Sequence, residues 1–275
     1  MHPTPTDGAP PLDALADFLD ALLAVDPRGD DPAGIVVPTT RPVRRLGLLI
    51  EPNPDVGAWA RANALDAVFL HRPWGLDADA LPPGVGVLAY HRGFDARMSV
   101  GWSPRLAAAL GMRDLRPLGE KDGAPLGMIG DVDAQPWESS DPEAIPARES
   151  TGGTDAGSPR RRTSCGRCSE FIRPFLARVE TEIGGSESAI APRRAEIRRV
   201  AVVGAMTDAL VREAAAAGAD AYLTGQMRVP ARKAVEETGI GVVATGHARA
   251  EAWGIRALAA GLRERFPALE TVPRD

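Results

Sequence analysis

From residue 198 onward the chain alternates short apolar runs with segments of helical period: RRVAVVG, TDALVREAAAAG, ADAYLTG, ARKAVEETG, IGVVATG, and a helix over about 248–265. Apolar runs of four to eight residues bounded by glycine read as strands buried on both faces. Strands that are separated by helices pair in parallel, because the chain must cross over before it can return. The first half shows the same alternation, with RRLGLLIEP as a strand, DVGAWARANAL as a helix, DAVFLHRPW as a strand, and GVGVLAYHRGFD as a third strand followed by a turn. An amphipathic helix, LDALADFLDALL, precedes them over 12–23. SPRLAAALGM carries helix punctuation at both ends, with Ser103 as N-cap, Pro104 in the first turn and Gly111 just past the end. Residues 115–131 read as short strands around Gly and Pro turns.

The pattern predicts a layered α/β fold of mainly parallel strands with covering helices, its two halves flanking a cleft. The halves span 1–131 and 170–275, and no repeat between them is strong enough to argue from. Between them, 132–169 is dense in Ser, Gly, Pro, Asp and Arg without apolar period, as expected of a flexible insert. FIRPFLARVETEIGG then resumes a helix.

Charge and cysteine content narrow the setting. Thirty-two basic against 37 acidic side chains give a net −5, so no global field draws the chain to nucleic acid or an anionic membrane. No apolar run is long enough to span a bilayer, the start MHPTPTDGAPPL lacks the features of a secretion signal, and two cysteines in 275 residues suit a reducing compartment. These features predict a cytoplasmic protein whose partner is a small-molecule substrate.

Three of the four histidines fall at strand ends: His71 after DAVFL, His91 after GVGVLAY and His247 after GIGVVATG. Open α/β sheets bind ligands beyond the carboxyl ends of their strands, where loops and helix N-termini converge. Glu251 follows His247 by one helical turn, and Asp95 lies four residues past His91 in the expected turn. Imidazole mixed with carboxylate suits divalent zinc, manganese, iron or nickel. Taken singly, each pair reads as a surface interaction of about 0.2–0.5 kcal/mol; together they point to a metal site. Cys165 and Cys168 form a lone CGRC inside the insert, without the second ligand pair a zinc knuckle needs. Thr224, Gly225 and Gln226 end another strand and could approach a ligand or simply turn the chain, while VAVVGAM has too few glycines for a dinucleotide fingerprint.

The run GADAYLTGQMRVPARKAVEETGIGVVATGHARAEAWGIRALAAGLRERF resembles the end of the NGG-interacting-factor-three-like, or Nif-three-like, family of dinuclear-metal proteins. FLHRPW is similar to that family's His-His-Pro segment, and YHRGFDARMSVGWSPRLAAALGM to its His-Thr-x-x-Asp segment. The resemblance implies His71, Asp95, His247 and Glu251 as ligands of one or two divalent ions, with His91 supporting a ligand or facing substrate; the catalytic candidates are His91 and Arg72, whose guanidinium can hold a phosphate or carboxylate of the substrate bidentately. It also implies a homohexamer. The chain departs from the family pattern at Arg72, which stands where the second histidine of the pair belongs, because a guanidinium cannot ligate a metal. It departs again at Gln226, in place of an acidic residue. Members are often labelled GTP cyclohydrolase, type two. Two functions fit: a metal-dependent hydrolase of a small polar or nucleotide-like substrate, and a non-catalytic metal-binding or regulatory protein.

Overall fold

The computed structural model describes residues 8–25, 31–121, 123–137 and 175–274. Its elements form two sheets. The first has the order β1-β4-β3-β2-β11, built from β1 (Ala33–Val37), β2 (Arg45–Leu49), β3 (Ala67–Leu70), β4 (Gly86–Tyr90) and β11 (Glu270–Pro273). The second has the order β5-β6-β8-β9-β10-β7, from β5 (Arg113–Lys121), β6 (Ala124–Pro136), β7 (Ser188–Ile190), β8 (Glu196–Val203), β9 (Ala221–Thr224) and β10 (Gly241–Ala244). β2, β3 and β4 pair in parallel, as do β8, β9 and β10, in agreement with their apolar runs.

Strand side chains alternate between a central core and an outer core on the far face of each sheet. Leu46, Leu48, Phe69 and Leu88 of the first sheet join Val200, Val202, Leu223 and Val243 of the second in one central core. The helices α1 (Leu12–Leu23), α3 (Arg92–Met98), α4 (Pro104–Ala109), α5 (Phe175–Ile183) and α8 (His247–Arg265) fill it. Leu49, Val68 and Leu70 point the other way, onto α2 (Val56–Ala62). Ala201, Val203 and Tyr222 likewise point away, onto α6 (Asp208–Ala216) and α7 (Arg232–Thr238). The result is five layers, helix, sheet, helices, sheet, helix, which explains why so many strand positions are buried on both faces.

The two sheets contain the same unit twice. In each, three parallel strands, the first two joined by a helix, are flanked by a short antiparallel edge strand, β1 on β4 and β7 on β10; α7 joins β9 to β10, where the first sheet has only a short 3-10 turn. Asp66 accepts from the backbone N–H groups of Arg44 and Arg45 at 2.9 and 3.1 Å. Asp220 does the same for Arg198 and Arg199, at the same two distances. This repeat is absent from the sequence reading because little more than the Arg-Arg and Asp-Ala pairs survives in identity.

Three expectations change. HRGFDARM is the helix α3 rather than a turn; Gly93 lies where a Cβ would stand 2.9 Å from the Leu23 carbonyl oxygen, so the glycine serves close packing on α1. Residues 113–136 form one long hairpin, and β6 continues to Pro136, past the residue-131 boundary. Most of the anticipated insert, with Cys165 and Cys168, lies outside the described residues. Finally, β11 crosses back to pair with β2, so the second half completes the first sheet.

Candidate metal centre

The carboxyl ends of β3, β4 and β10 meet between the sheets. The parallel ladder extends one step beyond β3, with His71 N–H donating to the Leu49 carbonyl and Arg72 N–H to that of Ile50, which fixes both backbones beside Glu51. His91 caps α3, and Asp95 N–H donates to its carbonyl. On the other side Gly246, at φ 90°, turns the chain out of β10 so that His247 is the first residue of α8. A side chain there would be strained in conformation and would meet Glu187.

Helix packing closes the group. A Cβ at Gly254 would stand 2.5 Å from the Met98 carbonyl oxygen and 2.8 Å from the Phe94 ring. The glycine therefore lets α8 lie directly against α3, which brings Glu251, one turn earlier, toward Asp95.

His71 lies at the centre, fully buried, its ring 4.5 Å from that of Phe94 and 5.2 Å from that of His91. Its Nδ1 is 3.1 Å from the Tyr90 carbonyl oxygen. A carbonyl only accepts, so Nδ1 carries the proton and Nε2 points onward. Tyr90 is itself anchored, its hydroxyl 2.7 Å from Asp20 Oδ1 on α1. His71 Nε2 is buried without a hydrogen bond, although Asp95 Oδ1 lies 3.3 Å away and Glu251 Oε1 3.2 Å. A bare lone pair facing two carboxylates is repulsive unless a cation, proton or metal, stands among them.

The electrostatics match. Burial lowers the His71 pKa, but Asp95 and Glu251 outweigh it and raise the imidazole from 6.5 to about 9. Burial raises Glu251, but His247, His71 and Arg72 override it and hold the carboxyl down at about 2. Contact with Glu251 raises His247, against burial. Glu251 is thus kept ionised, and positive charge is drawn to His71 and His247.

His71, His91 and Asp95 have ligand atoms that all lie within 4.8 Å of one another, a group able to hold a metal ion. Two imidazoles and a carboxylate fit a borderline divalent ion, and the orphaned Nε2 is the atom such an ion would satisfy. His91, expected to face substrate, is therefore positioned as a third ligand candidate. Its Nδ1 is 2.9 Å from Asp31 Oδ1, the carboxylate support that orients a metal-binding histidine. His247 and Glu251 reach the same centre, with His247 Nε2 2.9 Å from Glu251 Oε1. Both, however, are engaged by Arg72. Its Nη2 donates to Glu251 and lies 2.8 Å from His247 Nε2, while its Nη1 donates to Glu51 Oε1 at 2.6 Å. Thr224 is fully buried at the end of β9 with its Oγ1 unpartnered, and Gly225 lies against His247.

Four contributors escaped sequence reasoning: Asp31, Glu51, Trp74 and Gly254. Glu51 directly follows the run RRLGLLI, so the strand-end criterion that selected the histidines applies equally to it. Trp74, 55% exposed, meets the His91 ring edge-on at 4.7 Å and stands in the same FLHRPW segment as His71. Nothing in the sequence marked Asp31 or Gly254, whose roles are set by distant partners.

A pair of pseudo-repeated α/β lobes converging on a cluster of histidines and carboxylates, three of them grouped closely enough to hold a metal ion, defines a two-lobed protein with its site between the lobes. The profile of the Duf34/NIF3 (NGG1p interacting factor 3) family matches residues 76–273, and the chain belongs to that family. The matched stretch contains His91, Asp95, His247 and Glu251 and begins just after His71 and Arg72. A GTP cyclohydrolase 1 type 2 homolog of Allochromatium vinosum is 26% identical over 264 residues, spanning 91% of this chain and 89% of that protein. One of Pyrococcus horikoshii is 24% identical, spanning 92% and 94%. Among solved structures, the protein ybgI, of unknown function, is similar at TM-score 0.66 and 20% identity, over 96% of this chain and 98% of that one. A Bacillus cereus protein related to NIF3 is similar at TM-score 0.63 and 13% identity, over 98% of both. These structural likenesses carry the fold. Among the described residues no helix is long and apolar enough to cross a membrane.

Proposed function

We propose that this protein binds a divalent metal ion of the zinc, manganese, iron or nickel class and hydrolyses a small polar, nucleotide-like substrate. The observation that carries the reading is His71 Nε2, buried, unpartnered and facing Asp95 and Glu251. When bound, such an ion supplies Lewis acidity and lowers the pKa of water.

The surrounding residues divide the remaining work. Tyr90 fixes the His71 tautomer through its carbonyl, and Asp31 orients His91. Of the two carboxylates facing His71, Asp95 has the access to solvent, 38% exposed at its side chain against 3% for Glu251, and can take a proton from an incoming nucleophile. Trp74 offers an exposed aromatic face at the mouth, suited to a planar base. The printed names of the relatives, GTP cyclohydrolase 1 type 2 homolog, favour a nucleotide. A homohexamer acting in the cytoplasm belongs to the same proposal; a monomeric mass in light scattering would contradict the oligomer.

The test is metal analysis of purified protein together with turnover of a nucleotide panel that includes GTP, before and after loading with Zn, Mn, Fe or Ni. Bound ion with turnover, both lost in His71→Ala, is the expected result. Bound ion with no turnover across the panel favours the non-catalytic metal-binding reading. No bound ion under any loading removes both.

A further inference from the structure

Within this centre one side chain behaves unlike a ligand. Arg72 carries a permanent positive charge and only donors, so it can occupy a metal position but cannot share one. Its guanidinium is clamped on three sides, by Glu51, Glu251 and His247, and its side chain is 21% exposed. The key atom is Glu251 Oε1, which receives Arg72 Nη2 and lies 2.9 Å from His247 Nε2 and 3.2 Å from His71 Nε2. A metal ion on Glu251 and His247 would have to sit where Arg72 Nη2 sits. Placing a divalent charge a few ångströms from a guanidinium in a partly desolvated site is strongly unfavourable. By contrast, Asp95 faces imidazoles, its Oδ1 3.3 Å from His71 Nε2 and its Oδ2 3.7 Å from His91 Nε2, and the three side chains form the compact group.

We infer that Arg72 is a built-in second cation, whose guanidinium neutralises the Glu251 and His247 side of the centre and limits it to one metal ion per chain. The inference rests on the metal-binding reading proposed above. It separates two roles that the spacing of ligands had merged: His71, His91 and Asp95 hold the ion, and Glu251 with His247 hold the arginine beside it.

The test uses the full chain, saturated with Zn(II) or with Mn(II) and desalted, with metal measured by mass spectrometry against protein concentration. One ion per chain is expected, with a single anomalous diffraction peak among His71, His91 and Asp95. Arg72→His removes the fixed charge and adds a lone pair, so the ratio should rise from one to two, with a second peak beside Glu251 and His247. Circular dichroism checks that the variant folds, and the wild-type ratio and peak position stand even if it does not. Two ions per wild-type chain, a single peak beside Glu251 and His247, or a folded Arg72→His protein that stays at one, overturns the inference alone. No ion in the wild type overturns the metal reading itself.

Discussion

The two lobes share a scaffold and differ at its working end. In both, a buried aspartate, Asp66 or Asp220, latches the start of the first parallel strand, and a short antiparallel strand guards the edge. Yet β3 leads into His71 and Arg72, whereas the matching β9 leads into Gly225 and Gln226. The following helices differ as well: α3 has seven residues and bears Asp95, and α8 has 19 and bears His247 and Glu251. A duplicated framework can thus be kept for folding while its strand ends diverge, one lobe supplying the buried imidazole and the other the buried carboxylate. Scaffold substitutions should then act alike in both lobes, and substitutions at the strand ends should not.

The largest contrast is expected for metal. His71→Ala should abolish retention of the ion, weakening affinity by more than the roughly 100-fold typical of losing an outer-shell partner, while Gln226→Ala, one residue past the position that matches His71, should leave it nearly unchanged; calorimetric titration of the two variants decides. Next come the latches. Asp66→Ala and Asp220→Ala each strand two backbone N–H groups and should each cost about 2–4 kcal/mol in urea unfolding. A large inequality between them would break the equivalence of the lobes.

Gly254→Ala probes the contact between lobes rather than either one. Its Cβ would meet a backbone carbonyl that cannot rotate away, so a loss of about 1–3 kcal/mol is expected, together with weaker metal retention as Glu251 is pushed from Asp95. The smallest effect is a pH dependence. His71 titrates at about 9 when folded against 6.5 when free, so its protonated form stabilises the metal-stripped protein below pH 6.5. That contribution is lost as pH rises through 9. The melting temperature of stripped protein should fall across this window, and saturating zinc should suppress the fall by taking the place of the proton.

Much of this was legible in sequence where burial leaves a one-dimensional trace. Parallel strands covered on both faces read as apolar runs, and the residue ending such a run sits at the ligand edge, which is how His71, His91 and His247 stood out. Features set by long-range packing left no such trace. β1 and β7 are partly exposed edge strands of five and three residues, each paired with one neighbour and too short to show a period. Gly93 looked like a turn because a glycine that admits another backbone is indistinguishable, in sequence, from one that bends its own. Asp31 supports His91 from 60 residues away, and no local period encodes that distance.

The pairing of β11 with β2 bears on the order of events during synthesis. Residues 45–49 leave the ribosome long before 270–273 exist, so the first sheet waits with β2 as an open edge through most of translation. Contacts of such sequence separation form late and expose nascent chains to mispairing in the interval. His247 and Glu251, on the helix just before β11, arrive in the same late stage. The first lobe's His71, His91 and Asp95 thus emerge early, and the second lobe's His247 and Glu251 close over them only when nearly the whole chain has been made.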